Sequence, residues 1–158
     1  MNSNVPNGPT RRGLLRMGAV ISAALALPAQ IWAAMARPES AFKATAIEDV
    51  FAELGGIPEV SEGIVFSTPD IAENGAVVPV KVEIDTAVLP NVSRLYVLVE
   101  KNPNPVAALF DVPANTQPYV ETRVKVAQTC DLYAVAEMDG NLFMTKRETK
   151  VTLGGCGG

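Results

Sequence analysis

The chain has 158 residues, with 17 acidic side chains against 13 basic ones, no histidine, two cysteines and a formal net charge of −4. Without histidine, Ser-His and Cys-His catalysis within the chain is excluded. A net acidic chain with no basic cluster is also a poor binder of nucleic acid.

The N-terminal segment has the pattern of an export signal. Arg11 and Arg12 precede an apolar run over residues 17–32, which is typical of a twin-arginine signal peptide. The run is short and is interrupted by Ser22 and Pro28, so a permanent membrane span is the weaker interpretation. We therefore expect export to the periplasm by the twin-arginine route.

A small-x-small cleavage site over Ala34-Met35-Ala36 predicts that the mature chain begins at Arg37, with cleavage at Ala33 or Ala34 as the next choice. Removing residues 1–36 leaves 122 residues, and the loss of three arginines takes the net charge from −4 to −7. That length suits one domain with a modest core.

The first element of the mature chain is an amphipathic helix. Apolar residues recur at the helical period between Glu39 and Gly55, and Ser40 is placed to cap the start of the helix. Gly55-Gly56 is expected to end it. Residues 37–62 are therefore predicted to be a helix and a linker, which Pro58 opens.

From Ile64 onward the apolar period changes to two, which is typical of half-buried strands. We predict about seven or eight strands, including residues 78–84, 95–99, 107–111, 120–126, 132–137, 142–146 and 150–153. No helical pattern separates them, so the prediction is a mainly β, antiparallel sandwich of the immunoglobulin type over residues 63–153. Asp139-Gly140 indicates a hairpin, and Pro79 indicates a sheet edge or a bulge.

Cys130 precedes an apolar strand, where a cysteine behaves as a small buried hydrophobe. An internal disulfide with Cys156 is disfavoured, because it would restrain a segment whose composition favours freedom. An intermolecular disulfide through Cys156 needs no rearrangement and is the easier alternative.

Cys156 lies between two pairs of glycines, Gly154-Gly155 and Gly157-Gly158. Glycine has no Cβ, so we expect residues 154–158 to form a mobile arm unless something binds it. The thiol can then enter a narrow cleft, with a reach of roughly 10 Å from Leu153. The alternative to a functional arm is a disordered chain end without a role. Neither a prenylation box nor a metal site fits, because the cysteine is third from the end and converging ligands are missing.

The sequence indicates no catalytic residues and no metal ligands of its own. Only a few per cent of a free cysteine is thiolate at neutral pH, and nothing beside Cys156 in sequence lowers its pKa. A thiol that enters another protein's site can be activated there. The chain is thus predicted to be a substrate carrier whose partners perform the chemistry.

Four segments of the chain closely resemble the SoxY family, the sulfur-carrier subunits of bacterial thiosulfate oxidation. They are residues 73–80, 99–105, 118–123 and 151–158. The resemblance covers most of the mature chain, and the terminal glycine-cysteine motif is its most specific part. Cys130 lies outside that motif and receives no carrier role.

The resemblance implies an immunoglobulin-like sandwich that forms a heterodimer with SoxZ and carries sulfur intermediates covalently on Cys156, with no other cofactor. Gly154, Gly155, Gly157 and Gly158 match the family's swinging arm. In the family scheme the haem protein SoxXA joins thiosulfate to the cysteine by oxidation, and the manganese hydrolase SoxB releases sulfate. The sulfur dehydrogenase SoxCD, in systems that have it, oxidises the remaining sulfur.

The alternative function is an exported structural or adhesive sandwich that forms a disulfide-linked dimer through Cys156. An enzyme acting alone is disfavoured by the missing catalytic residues.

Overall fold

The computed structural model describes residues 37–152, and these contain two short helices and nine strands. The helices are α1 (Glu39–Lys43) and α2 (Ile47–Leu54). The strands are β1 (Glu59–Val60), β2 (Ile64–Ser67), β3 (Ile71–Ala72), β4 (Val78–Ile84), β5 (Val92–Val99), β6 (Val106–Asp111), β7 (Tyr119–Val124), β8 (Cys130–Met138) and β9 (Asn141–Val151). Within these residues no helix is both long enough and apolar enough to cross a bilayer.

The strands form two sheets that face each other. The larger sheet has the order β1-β9-β8-β5-β6, with β3 also pairing with β9, and the smaller sheet has the order β2-β4-β7. All pairs among the longer strands are antiparallel, whereas the two-residue strands β1 and β3 run parallel to β9. The predicted mainly β sandwich is therefore confirmed.

Period-two alternation builds the core between the sheets. Every second residue of β4, from Val78 to Ile84, is at most 2% exposed and faces the alternate residues Leu95, Val97 and Val99 of β5. Two buried polar side chains, Thr68 and Thr149, form a hydrogen bond with each other, with their hydroxyl oxygens 2.9 Å apart.

A second core lies on the other face of the larger sheet. There the two helices contribute Ala41, Ile47, Val50 and Phe51 to a cluster with residues of the sheet that include Tyr96, Leu98, Tyr133 and Val135. The rings of Phe51 and Tyr133 meet edge to face, with centroids 5.8 Å apart. The strands β5 and β8 are thus covered on both faces, which explains their nearly continuous apolar sequence.

The single predicted helix over Glu39–Gly55 is wrong in one respect, because the chain leaves the helical conformation between α1 and α2. Ala44 and Ala46 have ψ values of 146° and 150°. In one continuous helix, Ala41 and Ile47 would point about 120° apart, whereas the break lets both face the sheet. Ser40 lies inside α1, whose N-cap is Pro38. The predicted end at Gly55 is confirmed, with a φ of 117° there.

The strands predicted at residues 142–146 and 150–153 are instead one strand, β9. It pairs with β8 from Asn141 to Thr149, across the run of polar residues that divides the apolar pattern. The predicted hairpin between β8 and β9 is confirmed. Asp139 and Gly140 have φ values of 51° and 79°, as a two-residue turn with two left-handed positions requires.

The prediction that Pro79 marks a sheet edge is confirmed locally, although β4 as a whole is the central strand of the smaller sheet. Pairing with β2 ends where Ser67 meets Lys81, and Pro79 is paired only with Arg123 of β7. Proline is tolerated because this part of β4 extends beyond the end of β2. On the side of β4 that faces β2, no backbone N–H group is therefore needed at this position.

Candidate functional site: the base of the cysteine arm

The predicted carrier residues, Cys156 and its flanking glycines at positions 154, 155, 157 and 158, lie outside the described residues, as do Arg11 and Arg12 of the predicted export signal. The structure describes the point from which the chain continues toward Cys156, namely Val151 and Thr152 at the end of β9. The candidate site is built from the residues that hold this point.

Three backbone amide groups fix the end of β9. Lys150 donates to the carbonyl oxygen of Asp70 at 2.9 Å, and Thr152 donates to that of Ala72 at 3.2 Å. Between them, Val151 donates to the hydroxyl oxygen of Thr129 at 3.0 Å. The backbone is therefore hydrogen-bonded up to Thr152.

Gly75 allows the loop between β3 and β4 to pack directly against this end. Its carbonyl oxygen accepts a hydrogen bond of 2.7 Å from the amide of Val126. A Cβ at position 75 would overlap with the carbonyl oxygen of Val126 and would lie 3.0 Å from a methyl group of Val151. Glycine is thus required by the close approach of two backbones. The side chain of Asn74 accepts a hydrogen bond from the amide of Ala76 at 2.9 Å, which stabilises the turn at this point.

Asn102 joins the loop between β5 and β6 to the loop between β7 and β8. Its side-chain NH₂ group donates to the carbonyl oxygen of Lys125 at 2.7 Å, and its side-chain oxygen accepts from the amide of Ala127 at 3.1 Å. One side chain therefore ties two loops together. We call residues 73–77, 100–105, 125–129 and 151–152 the arm base.

Cys130 directly follows the arm base and is 4% exposed. The prediction that it is a buried core residue is confirmed. Burial in apolar surroundings raises the pKa of its thiol, so that this sulfur stays protonated and unreactive near neutral pH. Of the two cysteines, Cys130 is unsuited to carrying a covalent intermediate.

Two ion pairs lie close to the arm base. Lys146 meets Asp131 at 2.6 Å, and Arg147 meets Asp70 at 3.1 Å. Over residues 37–152, no three side chains of metal-ligating type come together in a way that could hold a metal ion. This arrangement can position a chain segment, but it does not resemble an acid-base or metal-dependent active site.

Another group of polar residues lies at the far end of β5. The hydroxyl of Tyr96 donates to Glu137 at 3.0 Å, and Arg94 binds Asp111 at 3.0 Å. Burial, together with the nearby carboxylate of Glu137, raises the pKa of Tyr96 to about 12. Tyr96 is 1% exposed and belongs to the core beneath the helices, so we assign this group a structural role.

Sequence reasoning missed Gly75, Asn102 and Thr129 as parts of the site. Gly75 and Asn102 lie in two of the segments that carry the family resemblance, and this resemblance was the signal that could have identified them. No local pattern marks Thr129, because its partner Val151 is 22 positions away.

Comparison with known proteins places this geometry in context. The sequence profile of the family described as "Sulfur oxidation protein SoxY" matches residues 48–156, a range that includes the arm base and Cys156. The chain is also similar to a solved structure of the sulfur carrier protein SoxY from Chlorobium limicola f thiosulfatophilum. The two are 35% identical, with a TM-score of 0.57 over 66% of this chain and 93% of that one. No curated protein sequence matches the chain.

Proposed function

Since the chain belongs to the SoxY family of sulfur oxidation proteins, we propose that it carries sulfur intermediates of thiosulfate oxidation covalently on Cys156. The family match and the similarity to a solved sulfur carrier support a carrier role in the Sox system. The observation that carries the assignment to Cys156 is that the match runs through this residue, while the other cysteine is buried in the core.

The chemistry that Cys156 undergoes under this proposal begins with loading. The thiol and thiosulfate join through a new S–S bond with loss of a proton and two electrons, giving Cys–S–S–SO₃⁻. The electrons pass to a haem partner of the SoxXA type. Water then attacks the terminal sulfone at a hydrolase of the SoxB type, which releases sulfate and two protons and leaves Cys–S–S⁻. A dehydrogenase of the SoxCD type oxidises the remaining sulfur in systems that contain it.

The division of labour in this proposal follows from the residues. The chain contributes a nucleophilic atom and a way to deliver it, whereas its partners contribute oxidation and hydrolysis. Its lack of histidine and the absence of a metal-ligand cluster within residues 37–152 support a carrier without catalysis of its own. The hydrogen bonds of the arm base make a firm point of attachment from which residues 154–158 act as a swinging arm.

Location and assembly are further parts of the proposal. Arg11, Arg12 and the apolar run that follows support export to the periplasm by the twin-arginine route, with residues 1–36 removed as the signal. Family membership implies a SoxZ partner. We propose a SoxYZ-type heterodimer that presents the arm on residues 154–158 to the enzymes in turn.

Replacing Cys156 by serine tests the function. A hydroxyl cannot form the S–S bond, so thiosulfate-dependent turnover of the reconstituted system should be lost while binding of SoxZ survives. Cys130→Ala is the matched control, because it removes the buried thiol and should leave turnover intact. Full turnover with Cys156→Ser would refute the carrier role.

A stable Cys156-linked dimer as the active species, without any sulfur adduct, would instead support the structural sandwich. Non-reducing electrophoresis of freshly isolated protein separates this outcome from a carrier with a free or loaded thiol.

A further inference from the structure

Two large aliphatic side chains are exposed at one edge of the larger sheet. Ile57 is 84% exposed and Val60 is 80% exposed, the highest values among the large apolar side chains of residues 37–152. Single apolar side chains are normal on a protein surface, but these two lie three positions apart on one short segment. That segment joins α2 to β2 and contains β1.

The backbone of this segment is held in place. The amide of Gly56 donates to the carbonyl oxygen of Phe51 at 2.8 Å, and Pro58 is buried. Farther along, β1 pairs with β9, and the amide of Ser61 donates to the carbonyl oxygen of Met144 at 2.9 Å. Little conformational entropy is therefore lost when a partner covers the two exposed side chains.

Unpaired carboxylates accompany the exposed aliphatic side chains. Glu53 precedes the segment, Glu59 and Glu62 belong to it, and all three are exposed. The sequence has no lysine or arginine over residues 44–80. Within the described residues, none of these three carboxylates forms an ion pair.

The turn between β8 and β9 lies beside this segment. Gly140 and Asn141 line one shallow pocket together with Ile57 and Glu59. Asp139, which precedes them, is exposed and adds another carboxylate. We call Glu53, residues 55–62 and residues 139–141 the β1 surface.

Two cations of β9 lie beyond its pairing with β1, and both are already engaged. Lys146 meets Asp131 at 2.6 Å, and Arg147 meets Asp70 at 3.1 Å. The β1 surface therefore combines exposed aliphatic side chains with unpaired negative charge. A protein that covers it must supply positive groups, because a carboxylate that loses water without gaining a partner is destabilising.

The β1 surface is far from the thiol. Val60 pairs with Met144, and the eight residues from there to Thr152 span roughly 26 Å along the strand. Four residues lead from Thr152 to Cys156, which gives a reach of roughly 14 Å at full extension. A protein on the β1 surface can thus stay bound while the thiol visits the active sites of other proteins.

We propose that the β1 surface binds the constitutive partner of the carrier, the SoxZ-type subunit, and that this partner covers it with an apolar pocket surrounded by basic side chains. The proposal rests on the heterodimer proposed above. A permanent subunit must leave free the end of the sandwich that leads to Cys156, and contact through the β1 surface does so. Burial of the aliphatic side chains stabilises the complex, and opposite charges orient the two subunits and speed their encounter.

Replacing Ile57 by serine tests the apolar part of the surface. Isothermal titration calorimetry with the purified SoxZ-type partner should show a Kd about tenfold higher than that of the wild type, because a buried aliphatic contact is lost. Val65→Ser is the matched control, since Val65 is 53% exposed on the outer face of the smaller sheet, and it should bind like the wild type. Both positions are exposed, so circular dichroism should show that both variants fold.

Charge reversal tests the acidic part. Glu53→Lys and Glu59→Lys change the net charge by the same amount as Glu121→Lys, a control on the exposed face of β7. The first two variants should raise the Kd about three- to tenfold at low ionic strength, and the effect should shrink as salt is added. The control should bind like the wild type.

Hydrogen exchange locates the contact directly. When the partner is bound, residues 55–62 should exchange more slowly than in the free chain, whereas Val151 and Thr152 should exchange at the same rate in both.

Wild-type affinity in Ile57→Ser, equal affinities of Glu53→Lys and Glu121→Lys at low salt, or unchanged exchange over residues 55–62 would overturn the β1 surface as the binding site. Failure of the wild-type chain to bind the partner would refute the heterodimer and this surface together. The carrier function is tested separately, since Cys156→Ser reports on it through loss of turnover.

Discussion

Replacing Gly75 by alanine should loosen the attachment of the arm to the sandwich. The new methyl group would overlap with the carbonyl oxygen of Val126 and press on the side chain of Val151. Neither strand end can move without breaking bonds, because the amide of Val126 binds the carbonyl oxygen of Gly75 and the amide of Val151 binds Thr129. Overpacking of this kind costs about 1–3 kcal/mol, and weakening one backbone hydrogen bond adds about 1 kcal/mol.

We therefore expect Gly75→Ala to lower the free energy of unfolding by about 2–4 kcal/mol. Urea denaturation followed by circular dichroism measures this change. Gly140→Ala is a suitable control, since the φ of Gly140 is 79° but nothing lies within 4 Å of its added Cβ. In this control, only the left-handed backbone conformation at position 140 lowers the free energy of unfolding, by about 1 kcal/mol. A Gly75→Ala variant within about 0.5 kcal/mol of the wild type would refute the close-approach argument.

Two further predictions concern single hydrogen bonds. Thr129→Val removes the acceptor of the Val151 amide, so hydrogen exchange at Val151 should become about fivefold faster, whereas Thr129→Ser should preserve protection. Unchanged exchange in the valine variant would contradict this. The pKa of Tyr96 is raised from 10.0 to about 12, so the folded state holds the phenol proton more tightly than the unfolded chain does. This contribution to stability is fully present below pH 10 and is lost as the pH rises toward 12, by about 2–3 kcal/mol. Between pH 10 and pH 12, Tyr96→Phe should therefore lose less stability than the wild type, as denaturation experiments at several pH values would measure. Equal losses of stability in both proteins would contradict the raised pKa of Tyr96.

The sandwich could be predicted because its strands alternate in a way that local sequence records. In β4, every second residue from Val78 onward is apolar and buried, and the turn at Asp139-Gly140 needs two left-handed positions that these residues adopt readily. The break between α1 and α2 could not be predicted in this way. Its cause is a requirement that Ala41 and Ile47 face the same sheet, which the apolar spacing alone does not express.

The sequence did not predict that β9 is one continuous strand, for a related reason. Lys146, Arg147 and Glu148 are three consecutive exposed residues, and they end the apolar pattern although the backbone continues to pair with β8. Pairing is a property of two strands, so one strand's sequence does not reveal it when its side chains are polar.

The candidate site, like the fold, could be predicted from the sequence only in part. Cys156 was found from a local motif, whereas the arm base depends on contacts between residues far apart in sequence, such as Asn102 with Lys125 and Gly75 with Val126. Glycine and asparagine in loops usually indicate turns. Only the three-dimensional structure shows that these two also hold the point from which the chain leads to Cys156.

The most direct test of the carrier function is the intact mass of the mature protein from cells consuming thiosulfate, isolated without reductant, with fragmentation of the C-terminal peptide. We expect sulfur or thiosulfonate adducts on Cys156 that a reductant removes. A bare thiol, or only a Cys156-linked dimer, while thiosulfate is being consumed would contradict it.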